Sequence, residues 1–207
     1  MGVGGLDPAY AAELVRRADA LQAEASRVVA ELDLGTLLGR LGIFEQVGSS
    51  VTGLMVWRDI DLGARCRELT LDRAWDALRP LLVNPHVIAV DYHDETGGRS
   101  PSGLASDQRY SYVVRYEAAP GEEWRLDISL WLSDAPRNQL AQAEAIRRRL
   151  SEETRLAILW IKDVWRQLPV YPSEVGGVEV YDAVLEHGVR TPEEFEGYLR
   201  ERGLPGR

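Results

Sequence analysis

Cysteine is nearly absent from this sequence, and so are the cross-links that it provides. Cys66 is the only cysteine among 207 residues, which excludes a disulfide framework, a zinc site of the CxxC type and a paired redox motif. A chain of this length buries roughly 70% of its unfolded surface, so it folds without such cross-links. We expect a protein of the reducing cytoplasm, built as one modest domain with at most an appendage.

Long apolar stretches and an export signal are also missing. No apolar run approaches about 18 residues, the length that a helix needs to cross a bilayer. The first ten residues lack the basic segment and the apolar segment of a secretory signal. These absences predict a soluble protein that is neither exported nor bound to a membrane.

Positive charge is scarcer than negative charge. The sequence has 24 Lys and Arg residues against 33 Asp and Glu residues, a formal net charge of -9 at pH 7. Duplex DNA and anionic membranes attract proteins through basic surfaces, so this balance argues against both as partners. The same balance argues against an RNA 3′ end as the substrate.

Hydrophobic periodicity and capping residues divide the chain into a mixed half and a helical half. In the first half they predict helices over 8–32, 36–41 and 71–83, strands over 43–47, 59–62 and 86–92, a loop over 94–107, and a hairpin formed by 110–117 and 124–132. In the second half they predict helices over 134–150, 151–168, 178–187 and 191–203. The expected fold class is α+β, with a mixed sheet and flanking helices in residues 1–134 and a helical subdomain in residues 135–207.

Two aspartates lie two residues apart on a predicted strand. Asp59 and Asp61 point to the same face of that strand, with Cα atoms roughly 7 Å apart. At an effective dielectric constant of about 20, two such charges repel by about 2 kcal/mol, a cost that a cation between them offsets. Magnesium suits this position because it binds carboxylate oxygens and substrate phosphates together. The alternative is an ordinary solvated strand face.

A glycine and two serines follow the strand predicted over 43–47. Gly48 lets the backbone approach a phosphate closely, and the successive N–H groups of Gly48, Ser49 and Ser50 form an anion-binding concavity. A helix that begins just after the turn adds its positive end, and the Ser49 hydroxyl adds a hydrogen bond. We predict that these residues hold nucleotide phosphates beside the metal-binding pair. The alternative is a plain turn, since Gly and Ser are common in turns.

Asp127 is the predicted third carboxylate of this site. It lies on the polar face of the strand predicted over 124–132, where alternate apolar residues take the other face. If that strand is an antiparallel neighbour of the Asp59–Asp61 strand, Asp127 lies beside the pair. Three carboxylates hold two divalent cations that a triphosphate bridges. Exposure on the solvent side of the hairpin is the alternative.

These residues resemble the signature of the DNA polymerase β-type nucleotidyltransferase superfamily, which is a Gly-Ser turn, an acid-hydrophobic-acid strand and a third acid on a later strand. The matching residues are Gly48 and Ser49, then Asp59, Ile60 and Asp61, then Asp127. The layout of a catalytic half followed by helices is most similar to the small bacterial stand-alone members, such as the aminoglycoside nucleotidyltransferases. The motifs fall within residues 43–132, and the helical half matches only in general character.

The resemblance implies a nucleotidyltransferase-type sheet and the transfer of a nucleotidyl group. In this reaction a hydroxyl attacks the α-phosphorus of a magnesium-bound NTP, with ATP as the expected donor, and pyrophosphate leaves. Asp59 and Asp61 would bind two Mg²⁺ ions, while Asp127 would bind one of them and orient or deprotonate the hydroxyl. The acceptor, a small molecule or a protein side chain, is not implied, and neither is an oligomeric state.

The single lysine lies in the most apolar predicted helix. Such a helix is buried over much of its surface, so the Lys162 ammonium needs a partner. One hypothesis is that Lys162 reaches the NTP triphosphate from the helical half. The other is that it lies at the rim or pairs with Asp163 or Glu153. Contacts of Tyr171 and of the loop 94–107 with substrate stay open in the same way.

The same residues allow a second class of function, a nucleotide-binding or partner-binding module without turnover, such as an antitoxin-like regulator. The three acids favour the enzyme, because a chain without catalysis gains nothing from carboxylates that repel one another. The sequence thus predicts a cytoplasmic, magnesium-dependent nucleotidyltransferase that moves NMP from an NTP to a hydroxyl.

Overall fold

The computed structural model of the chain describes residues 4–206. Its helices and strands, in chain order, are α1 (Pro8–Glu31), α2 (Leu34–Gly39), β1 (Ile43–Val47), α3 (Ser49–Thr52), β2 (Asp59–Arg65), α4 (Leu71–Leu82), β3 (Val87–Glu95), β4 (Arg109–Ala119), β5 (Glu122–Trp131), α5 (Gln139–Arg149), α6 (Glu152–Trp165), α7 (Gly177–Glu186) and α8 (Pro192–Glu201). Two short 3-10 turns lie between β3 and β4, over Gly97–Arg99 and Ala105–Asp107.

The strands of the described residues form one mixed sheet with the order β1-β2-β5-β4-β3. The pairs β1 with β2, β5 with β4, and β4 with β3 are antiparallel. The central pair, β2 with β5, is parallel. One face of this central pair is apolar and buried, and it consists of Ile60, Leu62, Ala64, Leu126, Ile128 and Leu130.

The parallel pairing of β2 with β5 corrects the antiparallel arrangement that we expected from the sequence. Parallel neighbours need a long crossover, and the connection from β2 to β5 contains α4, β3 and β4. β4 and β5 form the predicted hairpin, and its turn brings β5 back parallel to β2. Alternate residues still share a face whichever way a strand runs, so Asp127 remains on the face of Asp59 and Asp61.

The chain forms two compact units, which we call the sheet unit and the helical unit. The sheet unit comprises Ala23–Val51 and Arg58–Ala143, and the helical unit comprises the chain up to Gln22, Thr52–Trp57 and the chain from Glu144. The helix α1 therefore begins in one unit and ends in the other. The domain boundary near residue 134 stays a prediction.

Helices cover the apolar face within the sheet unit. α2 contacts β1 and β2, and α4 contacts β3. The Trp75 ring of α4 lies 5.4 Å from the Tyr92 ring and 5.3 Å from the Tyr112 ring, measured between centroids. Because these contacts occupy the apolar face, the polar residues of the strands lie on the opposite face.

An ion-pair network joins α1 to α6 within the helical unit. Asp163, 4% exposed, accepts hydrogen bonds from the Tyr10 hydroxyl at 2.5 Å, from Arg166 at 3.0 Å and from Arg17. Burial raises the pKa of Asp163, but the bonds from Arg17 and Tyr10 outweigh that effect and hold the pKa below its ordinary value. The first turns of α1 are thus fastened to the core of this unit.

The observed elements agree with the predicted α+β layout, with shifts at their ends. β2 continues three residues past its predicted end, because Gly63 and Ala64 pack inside the sheet. α5 begins at Gln139 rather than at residue 134, since Pro136 disfavours helical backbone in the residue before it. Cys66 is buried, as a small apolar residue would be. Between residues 4 and 206, no helix combines the length and apolarity that crossing a membrane requires.

Candidate functional site

The polar face of the sheet carries the first two predicted acids. On β2, Asp59 and Asp61 alternate with Ile60 and Leu62. The two aspartates are partly exposed and the two apolar residues are buried. The structure therefore places both carboxylates on one face of the strand, as their spacing predicts.

Asp127 lies on β5, the parallel neighbour of β2. In the register of this pair, Asp61 is opposite Asp127 and Asp59 is opposite Arg125. Opposite residues of neighbouring strands project from the same face and are about 5 Å apart. The structure thus brings the three predicted acids to adjoining positions on one face of the sheet.

A neighbouring arginine contacts Asp127. The Nε group of Arg125 donates a hydrogen bond to Oδ1 of Asp127 at 2.8 Å. Burial raises the pKa of the Asp127 carboxyl, and the charges of Arg125 and Arg109 reduce this rise without cancelling it. A carboxylate with a raised pKa accepts a proton more readily near neutral pH, as a general base must.

The turn after β1 closes onto Asp61. Gly48 begins this turn with φ of 71°, a conformation that glycine adopts at no steric cost. A Cβ atom on Gly48 would lie 2.8 Å from Cγ of Asp61 and would overlap the carboxylate. Glycine is therefore needed here both for its backbone angle and for the close approach to Asp61.

The two predicted phosphate-binding serines have different surroundings. Ser49 is partly exposed and begins the four-residue helix α3. Ser50 is 1% exposed; its hydroxyl donates to the Val47 carbonyl at 3.1 Å and accepts from Nε2 of Gln46 at 3.0 Å. The Ser50 hydroxyl thus links the turn to β1. If Ser50 contacts a phosphate, it does so through its backbone N–H group.

Lys162 lies in the helical unit, on α6, and is 3% exposed. Its ammonium donates hydrogen bonds to the Leu54 carbonyl at 2.7 Å and to the Tyr181 hydroxyl at 3.3 Å. The rings of Trp57 and Tyr181 each have their centroid 5.6 Å from Nζ. Carbonyl, hydroxyl and ring faces thus surround this cation.

The proposed rim position of Lys162, and its pairing with a neighbouring carboxylate, are both wrong. The side chain is buried, and Asp163 pairs instead with Arg17 and Arg166. Glu153 pairs with Arg190 at 3.0 Å. The hypothesis that Lys162 binds the triphosphate stays a prediction.

Tyr171 and the segment 94–107, whose contacts with substrate the sequence does not decide, both contact other parts of the protein. Tyr171, in the helical unit, is 8% exposed and packs edge to face on Trp57 with 5.2 Å between centroids. In the segment 94–107, Asp94 pairs with Arg99, and Asp107 accepts a hydrogen bond from Arg137 at 3.1 Å. These contacts stabilise the protein, and a role in substrate binding stays open for both.

Sequence reasoning missed two arginines near Asp127. Arg125 was detectable, because a residue two positions before Asp127 shares its face of the strand. Arg109 donates from Nη1 to the Ser129 hydroxyl at 3.2 Å, across 20 positions of sequence. No local pattern marks that contact, which depends on the register between β4 and β5.

The carboxylates fit a hard divalent cation by the chemistry of their oxygens. Within residues 4–206, no three His, Cys, Asp or Glu side chains stand together in an arrangement ready for a metal ion. The hydrogen bond from Arg125 competes with a cation for Asp127. Asp59, Asp61 and Asp127 fit as ligands on the condition that Asp127 gives up this bond.

No protein-family model matches the chain, and no curated protein matches it. Among solved structures, a cytoplasmic RNA terminal U-transferase is similar with a TM-score of 0.54 and 15% identity, over 86% of this chain and 54% of that one. CdnC of E. coli MS115-1 with ATP has a TM-score of 0.47 and 16% identity, over 98% of this chain and 70% of that one. The chain therefore spans about half the length of the U-transferase.

The likeness to the terminal U-transferase concerns the fold. At 15% identity it shows that this chain has the mixed sheet and flanking helices of a nucleotidyltransferase. The predicted fold class is thereby confirmed. The resemblance to the small aminoglycoside enzymes in particular stays a prediction.

The close approach of Gly48 to Asp61 predicts a large effect of Gly48→Ala. The added Cβ would displace Asp61, so we expect stability to fall by about 2 kcal/mol more than in Gly121→Ala. Gly121 is the matched control, because it also has positive φ, 80°, but no atom lies within 4 Å of its added Cβ. Urea unfolding measures both variants. Equal losses would show that the contact with Asp61 is unimportant.

The raised pKa of Asp127 predicts how stability depends on pH. Because burial disfavours the charged carboxylate, the folded protein binds the Asp127 proton more tightly than the unfolded chain does. Ionisation of Asp127 therefore lowers the free energy of unfolding as the pH rises. Asp127→Asn does not lose stability in this way, because asparagine does not ionise. We expect the stability of the variant relative to the parent to increase from pH 4 to pH 7, measured by urea unfolding in EDTA. A constant or decreasing difference contradicts the burial effect.

Proposed function

We propose that this protein transfers a nucleoside monophosphate from an NTP to a hydroxyl group and releases pyrophosphate. ATP is the expected donor, and a small molecule or a protein side chain is the acceptor. One observation carries the proposal: Asp59, Asp61 and Asp127 adjoin on one face of the sheet, with the Gly48 turn closed against Asp61. An acid cluster beside a glycine turn is what metal-assisted phosphoryl chemistry requires.

Each part of the chain has a distinct role in this proposal. Asp59 and Asp61 bind the metal ions that accompany the nucleotide, and the backbone of the Gly48–Ser49 turn binds phosphate oxygens. Asp127 orients the acceptor hydroxyl and accepts its proton. Two Mg²⁺ ions bound to the three carboxylates would neutralise charge on the phosphates and lower the pKa of the hydroxyl.

In this proposal Lys162 binds the phosphate groups of the nucleotide. A buried ammonium without a carboxylate among its contacts is costly, and phosphate oxygens would offset that cost. Within the part of the chain that the structure describes, its hydrogen-bond partners are the Leu54 carbonyl and the Tyr181 hydroxyl, which are both neutral. We therefore assign Lys162 to the NTP triphosphate.

The identity of the acceptor is less constrained by the fold. The terminal U-transferase acts on RNA by its name, whereas a net charge of -9 disfavours RNA as a partner of this chain. We place the reaction in the cytoplasm, where the NTP substrate is abundant. The small aminoglycoside enzymes remain the subgroup that the motifs resemble.

Loss of a metal-binding acid tests the reaction. Asp61→Asn removes a negative charge at nearly constant volume, so we expect the rate of nucleotidyl transfer to fall at least about a hundredfold. The measurement is magnesium-dependent conversion of α-labelled ATP into any labelled product, including AMP formed when water replaces the acceptor. The control is Asp76→Asn, an exposed carboxylate on α4, the helix that packs against the apolar face of the sheet.

The outcomes of this assay separate the enzyme from the alternative. Full activity in Asp61→Asn would show that the site is misassigned. If the unmodified chain binds magnesium-ATP but forms no labelled product, the non-catalytic, antitoxin-like binding module is favoured instead.

Replacement of the buried lysine tests its assignment to the nucleotide. Lys162→Met removes the charge and keeps the apolar stem, so we expect the Kd for magnesium-ATP to rise about tenfold or more. Tyr181→Phe is the matched control, because it removes one partner of the ammonium and keeps the charge. Calorimetric titration of both folded variants measures the Kd. An unchanged affinity in Lys162→Met would rule out the role.

A further inference from the structure

Arginine side chains gather on the polar face of β4 and β5, beside the third acid. They are Arg109, Arg115, Arg125 and, stacked on Trp131, Arg137. Arg115 and Arg125 are directly opposite each other, and like charges so placed destabilise an antiparallel pair. Each of these arginines also pairs with a carboxylate, Arg109 with Glu95, Arg115 with Glu123, Arg125 with Asp127 and Arg137 with Asp107, so this part of the sheet is rich in guanidinium N–H donors but not in net positive charge.

Two guanidinium groups flank Asp127 along β5. Arg125, two residues before it, donates to its carboxylate at 2.8 Å. Ser129, two residues after it, accepts a hydrogen bond from Nη1 of Arg109 at 3.2 Å. Alternate residues of a strand are roughly 7 Å apart, so both guanidinium groups are within reach of a small group bound at Asp127.

Contacts on two sides hold Arg109 in place. Its Nε group pairs with Glu95, and its guanidinium lies 4.6 Å from the centroid of the Trp131 ring. Arg137 lies against the same ring at 3.4 Å and bonds to Asp107 at 3.1 Å. A guanidinium that is already ordered loses little further conformational freedom when it binds an anion.

Both flanking arginines retain hydrogen-bond donors. Arg109 uses Nε and Nη1 in its contacts, and Arg125 uses Nε alone. Within the described chain, Nη2 of Arg109 and both Nη groups of Arg125 donate to no side chain or carbonyl. Such paired N–H groups match the oxygens of a phosphate.

We propose that the acceptor is a small hydroxyl compound with a phosphate monoester, which Arg109 and Arg125 bind beside Asp127. This inference rests on the proposed nucleotidyl transfer and names the substrate class of the same site.

The bound phosphate would leave the hydroxyl of the same molecule next to Asp127. In the transfer, the hydroxyl oxygen forms a bond to the α-phosphorus of the NTP. The bond from the α-phosphorus to the pyrophosphate oxygen breaks, and the hydroxyl proton passes to the Asp127 carboxylate. The products are pyrophosphate and a phosphodiester between the NMP and the phosphorylated acceptor.

Binding of ribose 5-phosphate, with ribose as the uncharged control, tests the proposal. Calorimetric titration without nucleotide is expected to show binding of ribose 5-phosphate and none of ribose. In Arg109→Gln the Kd should rise about tenfold or more, because a charge-assisted contact is lost. Arg125→Gln should do the same, and it serves as a second variant because Arg125 is exposed and, within residues 4–206, its guanidinium donates a hydrogen bond only to Asp127.

Two further variants locate the bound phosphate. Arg79→Gln, an exposed position on α4, should change the Kd by no more than about twofold. Lys162→Met should leave the Kd for ribose 5-phosphate unchanged, because we assign that lysine to the donor nucleotide.

Four results would overturn the phosphate-bearing acceptor. They are an absence of ribose 5-phosphate binding, equal binding of ribose, loss of binding in Lys162→Met but not in the arginine variants, and Arg109-dependent binding of an oligoadenylate RNA in place of ribose 5-phosphate. Failure of the proposed function is a separate result, since it appears as a chain that neither binds magnesium-ATP nor converts it.

Discussion

Repulsion among three carboxylates on one face of the sheet is the constraint on which the rest of the structure depends. Asp61 is opposite Asp127 in the parallel pair β2–β5, and Asp59 is two residues away on the same face. At about 5 Å and an effective dielectric constant of about 20, one such pair repels by about 3 kcal/mol. Without a cation, Arg125 offsets part of this repulsion by its hydrogen bond to Asp127. The apolar opposite face of the same strands holds the acids in register, because a shift by one residue would bury them.

Each of the two units contains a charged feature of its own. In the sheet unit the acids adjoin one another, whereas in the helical unit the Lys162 ammonium is buried among neutral partners. In the proposed reaction the carboxylates would bind the divalent cation of a magnesium nucleotide. The arginines beside Asp127 are a third feature, and we propose that they bind the acceptor. The proposed transfer of a nucleotidyl group to a phosphorylated hydroxyl compound would use the acids and the arginines of the sheet unit.

Local patterns were sufficient to predict the elements, and long-range pairing was not. The alternation around Asp59 and Asp61 predicted their common face, and the Ser151 and Thr191 caps predicted the starts of α6 and α8. The predicted antiparallel direction of β5 relative to β2 was wrong, because nothing local to Asp127 encodes the crossover through α4, β3 and β4. The partners of Lys162 and the contact of Arg109 with Ser129 were inaccessible for the same reason, since they join segments 108 and 20 positions apart.

The most direct test of the central claim is the thermal stability of the chain with ATP, GTP, CTP or UTP, each with and without Mg²⁺. A ligand at about 100 times its Kd stabilises the folded protein by roughly 2.7 kcal/mol. Our account predicts that at least one nucleotide raises the Tm, and that the rise requires Mg²⁺ because the acids bind the nucleotide through the cation. If no nucleotide raises the Tm, or if the rise is the same in EDTA, the three carboxylates do not form a metal-nucleotide site.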